Sequence, residues 1–328
     1  MVPARPTKPA SISGARWLHI PKTGGTSFRR VVLQWGCDTD ESSEGEVRAA
    51  AEAILMANVS FMRSHCRGSF EFNGEDMWYH LPATLVHVRI KAAALFTMLR
   101  EPLERTASGF AYGLFMCPEL VRRVPDAHMN CSRPSLVLAY AACVRGCATR
   151  MLSGHTCGRG DMRHWKHSKI ATVGQGSLPA DIKAYSDART TDDPGGLSDS
   201  SLSLLSELYD KLEPVSPRLL SALVARARYG PAFFGLTEVW ARSVCTFVGT
   251  FPRRFGGEYN YSALMQNTRP SPHSACKAAA LHVLRNASWR DEADAAIHDA
   301  AGARLKKLES RLHSNRRFLD CQRVLSGY

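Results

Sequence analysis

The sequence predicts an α/β chain: a parallel sheet flanked by helices, carried on a single domain over residues 16–328, with a helical C-terminal part. Three observations predict it. Short apolar runs recur along the chain, and each stops at a turn-forming or helix-starting residue, as buried strands do. Segments with apolar residues at helical spacing separate those runs. Strands alternating with helices mean a parallel sheet whose ligand edge lies at the strands' carboxyl ends. Finally, 45% of the 328 residues are hydrophobic, which supplies a sizeable core and argues against wholesale disorder.

Residues 1–15 read as a flexible leader; they hold Pro, Ser, Lys and Arg without an apolar stretch, so they do not read as a secretory signal. Trp17, Leu18 and Ile20 form a strand that Pro21 ends, because proline cannot donate to a sheet ladder. A helix is expected through Phe28 to about Gln34, a polar loop over 36–45 and an alanine-rich helix over 46–57. Short strands over 60–62 and 84–88 precede a buried strand from Leu95 to Leu99. Glu101-Pro102 then starts a helix, since proline is tolerated in the first turn. Pro134 to Val144 reads as a helix. From 154 to 196, Gly, His, Asp, Thr and Lys prevail with little periodicity, which predicts a long loop. An amphipathic helix from Leu202 to Leu212 ends before Pro214, Ala232 to Leu236 is a core strand, and a helix runs from Glu238 to about Val248. The tail from about Ala275 to Leu319 is expected to be largely helical. No run of about 18 apolar residues occurs, so no segment reads as a membrane span.

The chemistry concentrates in His19-Ile20-Pro21-Lys22-Thr23-Gly24-Gly25-Thr26-Ser27-Phe28. Gly24 and Gly25 let the backbone come close to a ligand. Thr26 and Ser27 sit where a helix begins, with free N–H groups and the positive dipole end facing outward. Lys22 adds a full charge, so the whole is a cradle for a phosphate or another tetrahedral oxyanion, and the sheet is expected to be of the P-loop type. It is not a Walker A loop, because the lysine precedes the glycines and no Gly-Lys-Ser/Thr ending is there to hold Mg²⁺. A second segment, Phe96-Thr97-Met98-Leu99-Arg100-Glu101-Pro102-Leu103-Glu104-Arg105, continues to Ser108. It places Arg100 at a strand's carboxyl end and Ser108 two turns into the next helix, which suits a second phosphate. The plainer alternatives are an ordinary strand–turn–helix corner for the first segment and an Arg100–Glu104 salt bridge for the second.

On these two segments the chain resembles the carbohydrate sulfotransferases of the heparan sulfate 2-O- and 6-O- and chondroitin/dermatan type. That family's 5′-phosphosulfate loop looks like Pro21-Lys22-Thr23-Gly24-Gly25-Thr26-Ser27, and its 3′-phosphate motif like Arg100 with Ser108. Ala148 to Gly154, Phe234-Gly235-Leu236-Thr237-Glu238 and Ser243-Val244-Cys245 are weaker echoes. Gln266-Asn267-Thr268-Arg269-Pro270 resembles a loop that closes over the donor, where Thr268 and Arg269 add phosphate contacts; a plain turn before Pro270 and Pro272 is the other reading. The resemblance implies transfer of a sulfuryl group from 3′-phosphoadenosine 5′-phosphosulfate (PAPS) to a glycan hydroxyl, with no metal required. It also implies residence in the Golgi lumen or membrane, through an anchor this sequence does not contain. The family's catalytic histidine, in a Gly-His pair, lies between the two phosphate motifs. His65, just past the 60–62 strand, takes that place here, with Ser64 instead of the glycine; His80, His87, Glu75 and Asp76 are its competitors.

Lys and Arg number 42 against 30 Asp and Glu, a net charge of +12 that calls for a polyanionic partner. No recognition-helix, zinc-finger or RNP-type signature points to nucleic acid. An anionic glycan fits, and Arg63, Arg67 and Arg150 are its candidate contacts. Ten cysteines fit no Cys-x-x-Cys metal framework. In an oxidising lumen some would pair, in a connectivity the sequence leaves open, and Asn58, Asn130, Asn260 and Asn286 stand in Asn-x-Ser sequons. Cys157 with His164 and His167 is the lone combination that suggests a metal. Two other functions remain open at this point: a non-catalytic heparin- or glycan-binding protein on a similar scaffold, and a P-loop kinase.

Overall fold

A computed structural model describes residues 16–18, 20, 22–23, 31, 95–114, 116–117, 120–121, 124, 131, 133–153, 155, 157–158, 198–211, 215–229, 233–251, 259–261 and 273–326. The elements expected over 36–57, 60–62 and 84–88, and nearly all of the 154–196 loop, lie outside the described residues. What is described is mostly helical, with a small parallel sheet flanked by helices.

The sheet has strands β1 (Arg16–Leu18), β2 (Leu95–Leu99) and β3 (Phe233–Leu236) in that spatial order. Both pairs are parallel, with Leu18 opposite Thr97 and Leu99 opposite Leu236. Their carboxyl ends therefore share one edge. β2 and β3 are the short, mostly apolar, buried runs expected of strands covered on both faces. Phe96 and Phe233 face one way and meet Phe247 and Phe251 edge-on, at centroid distances of 4.9 to 6.0 Å. Phe247 belongs to α6 (Trp240–Thr250), which thus covers that face. The opposite face carries Leu236, and there Gly302 of α8 (Glu292–Ser310) allows close approach: an added Cβ would lie 3.4 Å from Leu236 Cδ1.

A second core is purely helical. It joins α1 (Pro102–Ala111), α2 (Pro134–Cys143), α4 (Asp199–Asp210) and α7 (Ser274–Asn286) around Phe110, Leu136, Tyr140, Tyr209 and Leu284. Between the cores lies the short α3 (Cys147–Leu152), entered through Gly146 at φ 70°, a left-handed turn that glycine adopts without strain. α5 (Pro217–Tyr229) packs on α8, and α9 (Arg316–Ser326) on α6. The stretch Pro134–Leu152 has the length and apolar character of a membrane span, but it breaks into α2 and α3 and is mostly buried in these cores.

The expected junctions hold at β2, at the Glu101-Pro102 helix start and at β3. Several boundaries differ. The helix placed at 202–212 is Asp199–Asp210, because Ser198 caps it by accepting from Ser201 N. The helix placed from Glu238 begins as a 3₁₀ turn, Thr237–Val239, and becomes α-helical only at Trp240. The helical tail is three helices and runs on to Ser326. Disulfides join Cys117 to Cys143, Cys131 to Cys276, Cys147 to Cys157 and Cys245 to Cys321. Cys157 is therefore cross-linked, which removes it from the Cys157, His164, His167 group considered for a metal; His164 and His167 lie outside the described residues.

A candidate anion site at the carboxyl edge of the sheet

Three chain segments leave the sheet at the same edge. β1 runs on to Ile20, Lys22 and Thr23; β2 to Arg100 and Glu101; β3 to Thr237 and Glu238. Thr97 ties the first two, its buried hydroxyl donating to Leu18 O at 2.8 Å. β3 is fixed from behind, since the buried Ser243 hydroxyl accepts from Leu236 N and donates to Leu236 O. The Ser243 echo in the sequence thus has a structural use.

The first turn is tight. Thr23, buried, donates its hydroxyl to Ile20 O at 2.8 Å. Lys22 sits at φ 60°, a left-handed conformation that costs a non-glycine residue roughly 1–2 kcal/mol. Strain of this kind gathers where a side chain or carbonyl must be aimed. Here the Lys22 carbonyl accepts from Arg100 Nη1 at 3.4 Å. The Lys22 ammonium lies over the ring of Tyr112, 2.9 Å from its centroid, a cation–π contact. Tyr112 is the half-exposed C-cap of α1, the helix that carries Ser108.

Arg100 has a second tie, from Nη2 to Glu104 Oε2 at 3.3 Å, so the expected i,i+4 salt bridge is present alongside the contact to the Lys22 turn. The same Glu104 oxygen is also paired with Lys277 Nζ of α7. The start of α1 is held by Glu101, whose carboxylate accepts from Leu103 N at 3.1 Å and Glu104 N at 2.7 Å. Glu101 N in turn donates to Glu238 Oε1 at 2.6 Å, which locks the β2–α1 turn to the end of β3. The other Glu238 oxygen faces His298 Nε2 at 3.3 Å. Burial works against the Glu238 charge, but His298 and the Glu101 amide outweigh it and hold the carboxyl below its ordinary value. Burial likewise works against protonated His298, and Glu238, Asp299 and Glu101 together raise it.

Among the residues singled out in the sequence, Lys22, Thr23 and Arg100 come together at this edge. Ser108 lies on α1, part-buried. Arg150 is half-buried on α3, where burial pushes its guanidinium down to about 10 against the opposing pull of Asp294. Gly24, Gly25, Thr26, Ser27, Arg63, His65, Arg67, Thr268 and Arg269 lie outside the described residues, as do His80, His87, Glu75 and Asp76. Lys277, Glu238, His298 and Tyr112 are additions that the sequence reading missed as site residues. For Glu238 a signal existed, since it closes the Phe234–Glu238 segment; nothing near Lys277 in the sequence marks it.

Chemically, the edge offers two cations, Lys22 and Arg100, on adjoining turns, with a third, Lys277, one carboxylate away. Such a donor set binds oxyanions, and Arg100 has the planar fork that suits phosphate. No protein family, curated protein or solved structure matches the chain.

Proposed function

We propose that this chain is a PAPS-dependent carbohydrate O-sulfotransferase on a P-loop-type sheet, acting on a glycan hydroxyl, most simply of an acidic polysaccharide. One observation carries the reading: the Arg100 guanidinium bonds the Lys22 carbonyl at the carboxyl edge of a parallel sheet. Two motifs distant in sequence, which the resemblance assigns to the two phosphates of one nucleotide, thereby adjoin. The residues fit that nucleotide chemically: a lysine and an arginine, both part-exposed, with the Ser108 hydroxyl on the following helix.

In this reading the donor supplies an activated sulfuryl group on a phosphate leaving group. Lys22 stabilises charge developing on that phosphate, with the amides of Gly24, Gly25, Thr26 and Ser27 and the Thr23 turn around it. Arg100 and Ser108 hold the 3′-phosphate, and Thr268 and Arg269 close over it. His65 accepts the proton of the sugar hydroxyl during the transfer, because such a hydroxyl is far too weak an acid to ionise beforehand. Arg63, Arg67 and Arg150 take the anionic acceptor. No step calls on a metal. Four disulfides among the described residues, and sequon asparagines Asn260 and Asn286 that are exposed, support a lumenal, Golgi-type location.

The test is calorimetry with 3′-phosphoadenosine 5′-phosphate and with ATP, followed by transfer from PAPS to desulfated heparan, chondroitin and dermatan in EDTA. Preferential binding of the bisphosphate nucleotide and EDTA-resistant transfer are expected. Glycan binding with neither nucleotide binding nor transfer would establish the non-catalytic alternative, and EDTA-sensitive ATP turnover the kinase.

A further inference from the structure

Glu104 gives a single oxygen, Oε2, to two cations from different elements: Arg100, on the turn that leaves β2, and Lys277 in the first turn of α7. Both cations are about three-quarters buried, with side chains 24% exposed, and Glu104 is 28% exposed. A carboxylate oxygen that accepts from two cations resembles a bound phosphate oxygen in its charge and in the donors around it. The arrangement also has a consequence for exchange. An arginine leaving an ordinary salt bridge strands a half-buried carboxylate, and that cost opposes the move. Here the carboxylate keeps Lys277.

We propose that Glu104 occupies Arg100 as an internal stand-in for an oxyanion, and that Lys277 is the positioning residue that retains Glu104 when an external phosphate or sulfate takes Arg100. The inference rests on the reading of Arg100 as an anion ligand. It adds two residues, Glu104 and Lys277, acting through exchange of counter-ions rather than by touching the ligand. The local charge with the acid in place is one unit lower than without it, so the acid sets how tightly a dianion binds.

Three variants of the full chain test this: Glu104→Gln, Lys277→Ala and the double variant, each titrated with 3′-phosphoadenosine 5′-phosphate and separately with inorganic sulfate. Glu104→Gln should bind both probes about tenfold tighter, as removal of one charge beside a dianion in a half-buried setting gives. Lys277→Ala should bind about tenfold weaker, because Glu104 then has Arg100 alone and holds it. The double variant should recover at least the wild-type affinity, since no acid remains to be retained. Weaker binding by Glu104→Gln, or a double variant as weak as Lys277→Ala, overturns the proposal; the second result would mean that Lys277 touches the anion directly. Sulfate binding in this variant order without nucleotide binding would support the exchange and sink the sulfotransferase reading. Nucleotide binding that ignores all three variants would do the reverse. Circular dichroism at each stage checks that the variants keep the wild-type fold.

Discussion

Arg100 and Arg105 flank the first turn of α1, and each is ion-paired, yet they stand in opposite situations. Arg100 is part-exposed and meets one carboxylate, Glu104, and one carbonyl, that of Lys22. Arg105 is 4% exposed and pairs with Asp291 and Asp294, whose side chains are fully enclosed. Those two acids are themselves committed elsewhere. Asp291 accepts from Gly146 N at 2.7 Å, and Asp294 accepts from Ala148 N at 2.9 Å and from Thr149 N and Oγ1. One buried cluster thus caps α3 and joins it to α1 and α8. Burial lowers the Arg105 pKa, but the two aspartates more than restore it, so the guanidinium stays charged. The difference is one of burial and counter-charge. When Arg100 turns to a ligand, the part-exposed Glu104 keeps the cation Lys277, whereas Asp291 and Asp294 would be left enclosed without the guanidinium that pairs with both.

The largest test of that contrast is Arg105→Ala. It leaves two carboxylates buried without their cation and should cost about 3–5 kcal/mol of stability, the usual figure for breaking a buried pair from one side. A urea midpoint equal to wild type would remove the distinction between the two arginines. Lys22→Ala comes next. It should keep the wild-type midpoint and lose ~10²–10³ in sulfation rate, as loss of one transition-state stabiliser does; wild-type-like sulfation by the purified variant would end the assignment. Arg100→Ala should also fold normally, and should weaken calorimetric binding of 3′-phosphoadenosine 5′-phosphate by on the order of 2 kcal/mol. Unchanged affinity would return Arg100 to a surface salt bridge with Glu104.

A further test concerns pH. Burial, and then the charge of Asp294, push Asp291 from 3.8 up to about 7, against the pull of Arg105 and of the Gly146 and Asp294 amides. A carboxyl raised in the folded state keeps its proton there while the unfolded chain has released it. Its contribution to stability therefore declines as pH climbs from about 4 to about 7, and levels off above. Asp291→Asn removes that titration. Urea melts at pH 4.5 and 7.5 should show a smaller stability loss between the two for the variant than for wild type. Equal slopes would mean that Asp291 is ionised throughout.

How legible all this is in the sequence depends on the range of the interaction. The β2–α1 junction is readable because its signals are local: an apolar run, then Glu101-Pro102, with the acid capping its own helix. β3 is readable for the same reason. α5 carries the same kind of local signal, with Leu220, Leu223, Val224 and Ala227 at helical spacing on its core side, yet it is not among the expected elements. The boundaries of α4 shift because a serine cap, not the first apolar residue, decides where a helix begins. Arg105 reads as a surface charge in any window of sequence, since its acids lie 186 and 189 residues away and only the fold brings them in. The anion site divides in the same way. Lys22 and Arg100 are visible as motifs, whereas Lys277 and His298 are defined wholly by which helix packs where.

The Cys131–Cys276 disulfide joins positions 145 apart in sequence and closes the chain between them into a covalent ring. Lys22, Arg100 and Glu104 lie on the arm that enters the ring, Glu238 lies within it, and Lys277 is the first residue of the arm that leaves. A protease that cuts once between Cys131 and Cys276 opens the ring without dividing the molecule. Both sides of the Glu101–Glu238 hydrogen bond, and both cations of Glu104, remain on one covalent object. Such a nicked protein runs as a single species until a reductant is added, and only then separates into two.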